Sequence, residues 1–152
     1  MADQISKYWI KQNYILHSTQ EVLGTFFKIT YVENPGVAFG IRVGKYLPLI
    51  TLISVFAILL VVYYLYQERH KSLEIRLGLA LILGGAIGNM IDRCLMIFLP
   101  ASYSGVVDFI DVGFNHHRWY IFNVADSAVT VGIVLIIIHS LLNQKNIVST
   151  SN

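Results

Sequence analysis

Three stretches of this chain stay apolar long enough to cross a bilayer. Residues 47–66 carry no charge; residues 77–99 are apolar until Asp92 and Arg93; residues 120–142 hold Asp126 near their start and His139 near their end. About 20 residues, each rising 1.5 Å, traverse a hydrocarbon core about 30 Å thick, so each stretch predicts a spanning helix. Tyr63, Tyr64, Tyr66, Trp119 and Tyr120 fit the amphipathic aromatic belt that settles at headgroup level. Between residues 21 and 43 the pattern changes. Thr25–Val32 is rich in aromatic and β-branched residues and is followed by Asn34-Pro35-Gly36, which predicts strands and a turn capping the helices. An exposed edge there could pair with an extended peptide.

Composition supports this reading. Of 152 residues, 55% are hydrophobic and 13% charged, and the mean hydropathy is +0.61, which places the chain among membrane proteins. A net charge of +2 without a long basic run excludes nucleic acid as a partner. Cys94, the lone cysteine, has no internal disulfide partner and no neighbouring histidine, so it reads as packing. Asp3 and Lys7 stand where the apolar core of a cleavable signal would lie. Arg69, Lys71 and Arg76 crowd the short link 67–76. Their density predicts a cytoplasmic link, although the opposite side holds more cations, widely spread.

The candidate chemistry begins with Asp126. A carboxylate at membrane depth costs about 2.5–3.5 kcal/mol on insertion scales, so it should face a bundle interior and have a partner. Asp108, placed in a short loop at 105–109, is the nearest acidic candidate. Two carboxylates held together share one proton and can activate a water between them, the chemistry of an aspartic protease. Asn89, Asp92 and Arg93 share one helical face by their offsets, and Arg93 is expected to bond Asp92, Asp108 or a substrate carbonyl. Asn123, three residues before Asp126, should face the bundle too and by itself reads as interhelical glue. Gly84 and Gly88 form a small-xxx-small pair suited to close helix packing.

Other chemistries fit less well. His-Glu-x-x-His is absent, and His116-His117 have the wrong spacing for a metal site with Asp108 or Asp111. Gly-x-Ser-x-Gly is absent. No metal or cofactor is expected. A small ion- or proton-coupled transporter remains the alternative from another class, with the membrane Asp and Arg binding an ion.

Four blocks occur in order: Asp3-Gln4-Ile5-Ser6-Lys7; Asn34-Pro35-Gly36-Val37-Ala38-Phe39; Gly88-Asn89-Met90-Ile91-Asp92-Arg93; and Gly105–Phe109 with Phe122–Asp126. Together they resemble the lipoprotein signal peptidase family, signal peptidase II, over nearly the whole chain. The resemblance implies one all-α polytopic membrane domain, residues 1–152, with a periplasmic β-cradle at about 21–43. It implies a catalytic pair, Asp108 and Asp126, near the outer face of the bacterial inner membrane. Asn34, Gly36, Asn89, Arg93 and Asn123 would bind substrate or orient the pair, and Asp3, Lys7 and Asp92 would be structural or lie near lipid. The implied reaction is cleavage of diacylglyceryl-modified prolipoproteins before the lipidated cysteine, by a monomer needing no cofactor and inhibited by globomycin-type depsipeptides.

Two departures stand out. The family carries a whole apolar helix before the first block, whereas Met1 and Ala2 alone precede Asp3 here, so three of four spans are expected. A shortened, catalytically dead homologue is therefore a further alternative. The link Cys94–Ser104 is also longer than the family's, with Pro100 expected to end the helix and a loop to follow.

Overall fold

A computed structural model describes residues 1–37, 41–42, 44–70 and 72–149. Ala38 and Phe39 of the second block, and with them part of the expected cradle, lie outside the described residues. In chain order come α1 (Ala2–Asn13), β1 (Thr19–Leu23), β2 (Phe27–Asn34), β3 (Gly36–Val37) and β4 (Ile41–Arg42). A 3-10 turn, Gly44–Tyr46, then leads to α2 (Leu47–Gln67), α3 (Leu73–Phe98), β5 (Val106–Phe114), β6 (His117–Arg118) and α4 (Val124–Ser149). Three helical segments are long and apolar enough to cross a membrane: Gly44–Gln67, Leu73–Phe98 and Val124–Asn143.

The helix limits follow local chemistry. Pro48 sits in the first turn of α2, where its fixed φ suits the helix and its missing N–H is no loss. The α3 helix ends at Phe98, with Leu99 as its C-cap and Pro100 next, so Cys94–Phe98 are helical and the irregular link is confined to 99–105. α4 begins at Val124, later than the apolar run suggests. Phe122 exchanges backbone hydrogen bonds with Ile110, 2.7 and 3.1 Å long, so the first residues of that run serve as an extended bridge to the sheet. Hydropathy reports burial and leaves that conformational choice open.

α3 is the central helix, packing against α2 on one side and α4 on the other. α2 buries only Thr51 and Ile58 among its residues and leaves the rest of its apolar surface largely uncovered, as an element solvated by lipid can. The glycine pair of the close approach differs from the expected one. Gly84 has open space where a Cβ would stand, whereas a Cβ on Gly85 would collide with the backbone of Ala125. One on Gly78 would stand 2.9 Å from the Gly132 carbonyl oxygen. The α3–α4 contact therefore uses Gly78 and Gly85, seven residues apart on one face, with Gly88 next to Asp3 of α1.

The sheet has the order β1-β2-β5-β6, with β1–β2, β2–β5 and β5–β6 antiparallel. Asp108 is thus on an inner strand and not in the short loop expected of it. β5 reads Val-Val-Asp-Phe-Ile-Asp-Val-Gly-Phe, buried on both faces over its first four residues. A strand covered on both sides loses the apolar–polar alternation by which strands are read. One face of the β2–β5 pair presents Tyr31, Val107 and Phe109 to Ile10 of α1, forming the packed core. The other face, carrying Asn34 and Asp108, looks into a cavity.

Candidate active site

β5 delivers Asp108, which is 3% exposed. Its Oδ2 accepts a hydrogen bond from the Asn34 side-chain amide at 3.2 Å, and its Oδ1 accepts one from the Asn123 amide at 2.7 Å. β2 and β5 come close enough for this because Gly105, just ahead of β5, has no Cβ. One would stand 2.5 Å from the backbone N and C of Asn34.

The start of α4 delivers Asp126. The backbone N–H of Asp126 donates to Asn123 Oδ1 at 2.9 Å, and the backbone N–H of Asn123 donates back to Asp126 Oδ2 at 3.2 Å. This is a reciprocal capping box written Asn-x-x-Asp. It satisfies N–H groups that a helix start leaves without partners. Asn123, wholly buried, therefore starts the helix with its oxygen and backbone while its nitrogen reaches Asp108. Asn89 of α3 completes the frame, donating to Asp126 Oδ1 at 2.7 Å and accepting from Asn123 Nδ2 at 3.1 Å.

Behind Asn89 lies a second charged group. Lys7 Nζ is 2.9 Å from Asp3 Oδ2 and 2.8 Å from Asp92 Oδ2, and donates to Asn89 Oδ1 at 3.0 Å. Asp92 also accepts from Gln4 Nε2 at 3.0 Å and from the backbone N–H of Val107 at 3.2 Å, and Asp3 Oδ1 accepts from the N–H of Ala125 at 2.9 Å. Asp92 thus faces α1, away from its neighbour in sequence. Arg93 bonds neither Asp92 nor Asp108. Its Nη1 reaches Ser54 Oγ of α2 at 3.4 Å, and its buried Nε has no hydrogen-bond partner. Neighbouring residues on a helix point about 100° apart, which accounts for the division.

Asn34, Asn89, Arg93, Asp108 and Asp126 line one cavity of about 760 Å³, walled otherwise by apolar groups of the 119–122 segment and the first turns of α4. Gly36 begins β3 and pairs with Arg42. Burial pushes the Asp108 carboxyl up to about 7, with the Asp126 charge adding to the shift and the Asn34 and Asn123 amides opposing it. Among the described residues neither Asp108 nor Asp126 belongs to an ion pair. Sequence reasoning placed Asn123 on the correct face but missed its capping role, although Asn-x-x-Asp at 123–126 is the signal for it. It also assigned no role to Lys11 and Glu33, an ion pair joining α1 to β2.

A helical membrane protein with two acidic side chains converging on an apolar-walled cavity is the class these observations define. The family described as signal peptidase (SPase) II matches residues 1–142. A lipoprotein signal peptidase of Syntrophus aciditrophicus is 34% identical over 151 residues, covering 95% of this chain and 88% of that protein. One from Moorella thermoacetica is 39% identical over 134 residues, covering 88% and 81%. A solved structure described as a bacterial membrane enzyme, determined in meso at 2.3 Å resolution, superposes with a TM-score of 0.83 at 34% identity, covering 95% of this chain and 84% of its own. This chain belongs to the signal peptidase II family.

Proposed function

We propose that this protein is an aspartic endopeptidase that removes signal peptides from prolipoproteins, with Asp108 and Asp126 as the catalytic pair. The observation that carries the reading is the convergence of these two carboxyls, from β5 and from the start of α4, on one cavity, with no ion-paired cation at either among the described residues. Relatives named lipoprotein signal peptidase support the substrate class. They favour it over the transporter alternative.

In this mechanism Asp108, held neutral by burial, keeps the shared proton. Asp126 accepts N–H hydrogen bonds from Asn89 and Asn123 and takes a proton from water as the water oxygen attacks the scissile carbonyl. Asp108 gives its proton to the carbonyl oxygen, so the tetrahedral intermediate forms without a free oxyanion. On collapse the C–N bond breaks, the proton on Asp126 passes to the leaving amine, and Asp108 recovers its own. Arg93 and Asn34 line the cavity, where a substrate backbone carbonyl needs donors. We place the sheet and cavity on the outer side of the inner membrane and the cation-rich 67–76 link inside, by the distribution of positive charge. Asp3, Lys7 and Asp92 hold the frame, and the enzyme acts as a monomer beside lipid.

Purified protein should cut a diacylglyceryl-modified precursor immediately before the modified cysteine and leave the unmodified precursor intact. Equal cutting of both would remove the lipid requirement, and turnover by Asp108→Asn would remove the mechanism.

A further inference from the structure

Strand alternation sends Asn34 into the cavity and its neighbour Glu33 to the opposite face of the sheet. There Glu33 Oε1 accepts hydrogen bonds from Lys11 Nζ of α1 and from Tyr31 Oη, the latter at 2.6 Å. Its Oε2 accepts the backbone N–H of Ser104 at 2.8 Å and the Ser104 hydroxyl at 2.6 Å. Lys11 donates as well to the Ser102 carbonyl at 3.1 Å and lies 4.2 Å from the centre of the Tyr103 ring. One carboxylate and one ammonium thus grip the end of the link between α3 and β5. The next residue, Gly105, is the one pressed against the backbone of Asn34.

The position of this grip matters because the strand ladder stops there. Asn34↔Val106 is the last register pair of β2 and β5, and Pro35 follows with no N–H to extend it. Beyond that pair, the Glu33–Ser104 bonds take over the holding of the two strands. Asn34 in that pair and Asp108, two residues further along β5, both face the cavity, and their mutual hydrogen bond is a long one, 3.2 Å.

We propose that Glu33 is a positioning residue for the catalytic pair: by clamping Ser104 and Lys11 it fixes the backbone of Asn34 and the start of β5, and so the Asn34 amide on Asp108. The inference rests on the aspartic reading above. Glu33 is itself insensitive to pH in the working range. Although burial opposes its charge, the Lys11, Ser104 and Tyr31 donors outweigh burial and hold it at about 2. Lys11, Tyr31 and Tyr103 are the titratable groups that face it; Asp126, Lys7 and Arg93 surround Asp108. Any change in the pH profile of a Glu33 variant therefore reports on Asp108.

The test compares Glu33→Gln, Lys11→Met and Ser104→Ala with the unaltered enzyme on a lipidated precursor, measuring kcat, KM and the pH profile alongside the melting temperature. Glu33→Gln should lower kcat by about tenfold or more, as small misplacements of catalytic groups do, with KM changed less than about twofold. Its alkaline limb should move upward, because the Asn34 amide that holds Asp108 down is loosened. Ser104→Ala, which keeps the backbone donor, should shift kcat and the limb in the same direction by less. Should Glu33→Gln fail to fold, Lys11→Met and Ser104→Ala carry the comparison. An unmoved limb in every folded variant, even with lowered melting temperatures, overturns the positioning role. If the unaltered enzyme fails to cut, or Asp126→Asn still cuts, the hydrolytic reading fails and not the clamp.

Discussion

Two pairs of aspartates stand where the helices meet the sheet, Asp126 half-buried and Asp3, Asp92 and Asp108 buried, and their surroundings differ in one respect. Asp3 and Asp92 share Lys7 between them at 2.9 and 2.8 Å, with Gln4 and backbone N–H groups occupying other lone pairs. Among the described residues, Asp108 and Asp126 are held by amide N–H groups and open on a cavity. A buried carboxylate neutralised by a hydrogen-bonded cation has little left to do but hold elements together. The first pair ties α1 to α3 and α4 in that way. Among the described residues the second pair has no ion-paired cation; burial and the Asp126 charge push the Asp108 carboxyl up, and on the aspartic reading the proton it keeps is the one transferred. Asn89 touches both groups, accepting from Lys7 and donating to Asp126.

The contrast can be broken most sharply at the reactive pair. Asp126→Asn or Asp108→Asn should lower the rate of precursor cleavage by about a thousandfold or more while the fold persists, as losses of unit catalytic groups do. Rates read on lipidated precursor, with circular dichroism as the control for folding, check this. Lys7→Met should do the reverse, leaving two uncompensated buried charges and destabilising the protein by about 3–5 kcal/mol. Unfolding in mixed detergent micelles measures it, and an unaltered midpoint would erase the distinction between the two groups. Asn89→Ala, at the junction, should show both effects at reduced size, with about 1–3 kcal/mol of stability lost and a slower rate. The smallest expected effect is that of pH. Cleavage should decline as pH rises through about 7, where Asp108 loses its proton. Because its folded value lies above the ordinary 3.8, the stability it contributes is complete at acid pH. That contribution falls as pH rises toward about 7, and Asp108→Asn should flatten this part of the melting profile.

How far the amino-acid sequence foretold this arrangement depends on the length scale of the signal. Long apolar runs marked all three lipid-crossing helices, because no other element tolerates so many apolar residues in succession. Asp126 was legible for the same reason, as a charge where charge is costly. Asp108 was legible as a candidate partner but not as a strand residue, since Val106–Phe109 is covered on both faces and shows no alternation. The partition of Asp92 and Arg93 between α1 and the cavity was hidden too. It depends on which neighbour each helix face meets, and side-chain periodicity fixes only the angle between them. The glycine contact fell one residue away, on Gly85 instead of Gly84, for the same reason. The grip of Glu33 on Lys11 and Ser104 joins positions 22 and 71 apart in sequence, beyond the reach of any local pattern.

Asn123 has a bearing on biogenesis. The same residue that caps the start of α4 also holds Asp108, so on the aspartic reading secondary structure at that point and chemical competence depend on one side chain. A nascent polypeptide whose final hydrophobic segment is still in transit has only one of its two acids in place. On the aspartic reading it would be inert toward its neighbours at that stage, and hydrolytic power would await insertion of that last segment.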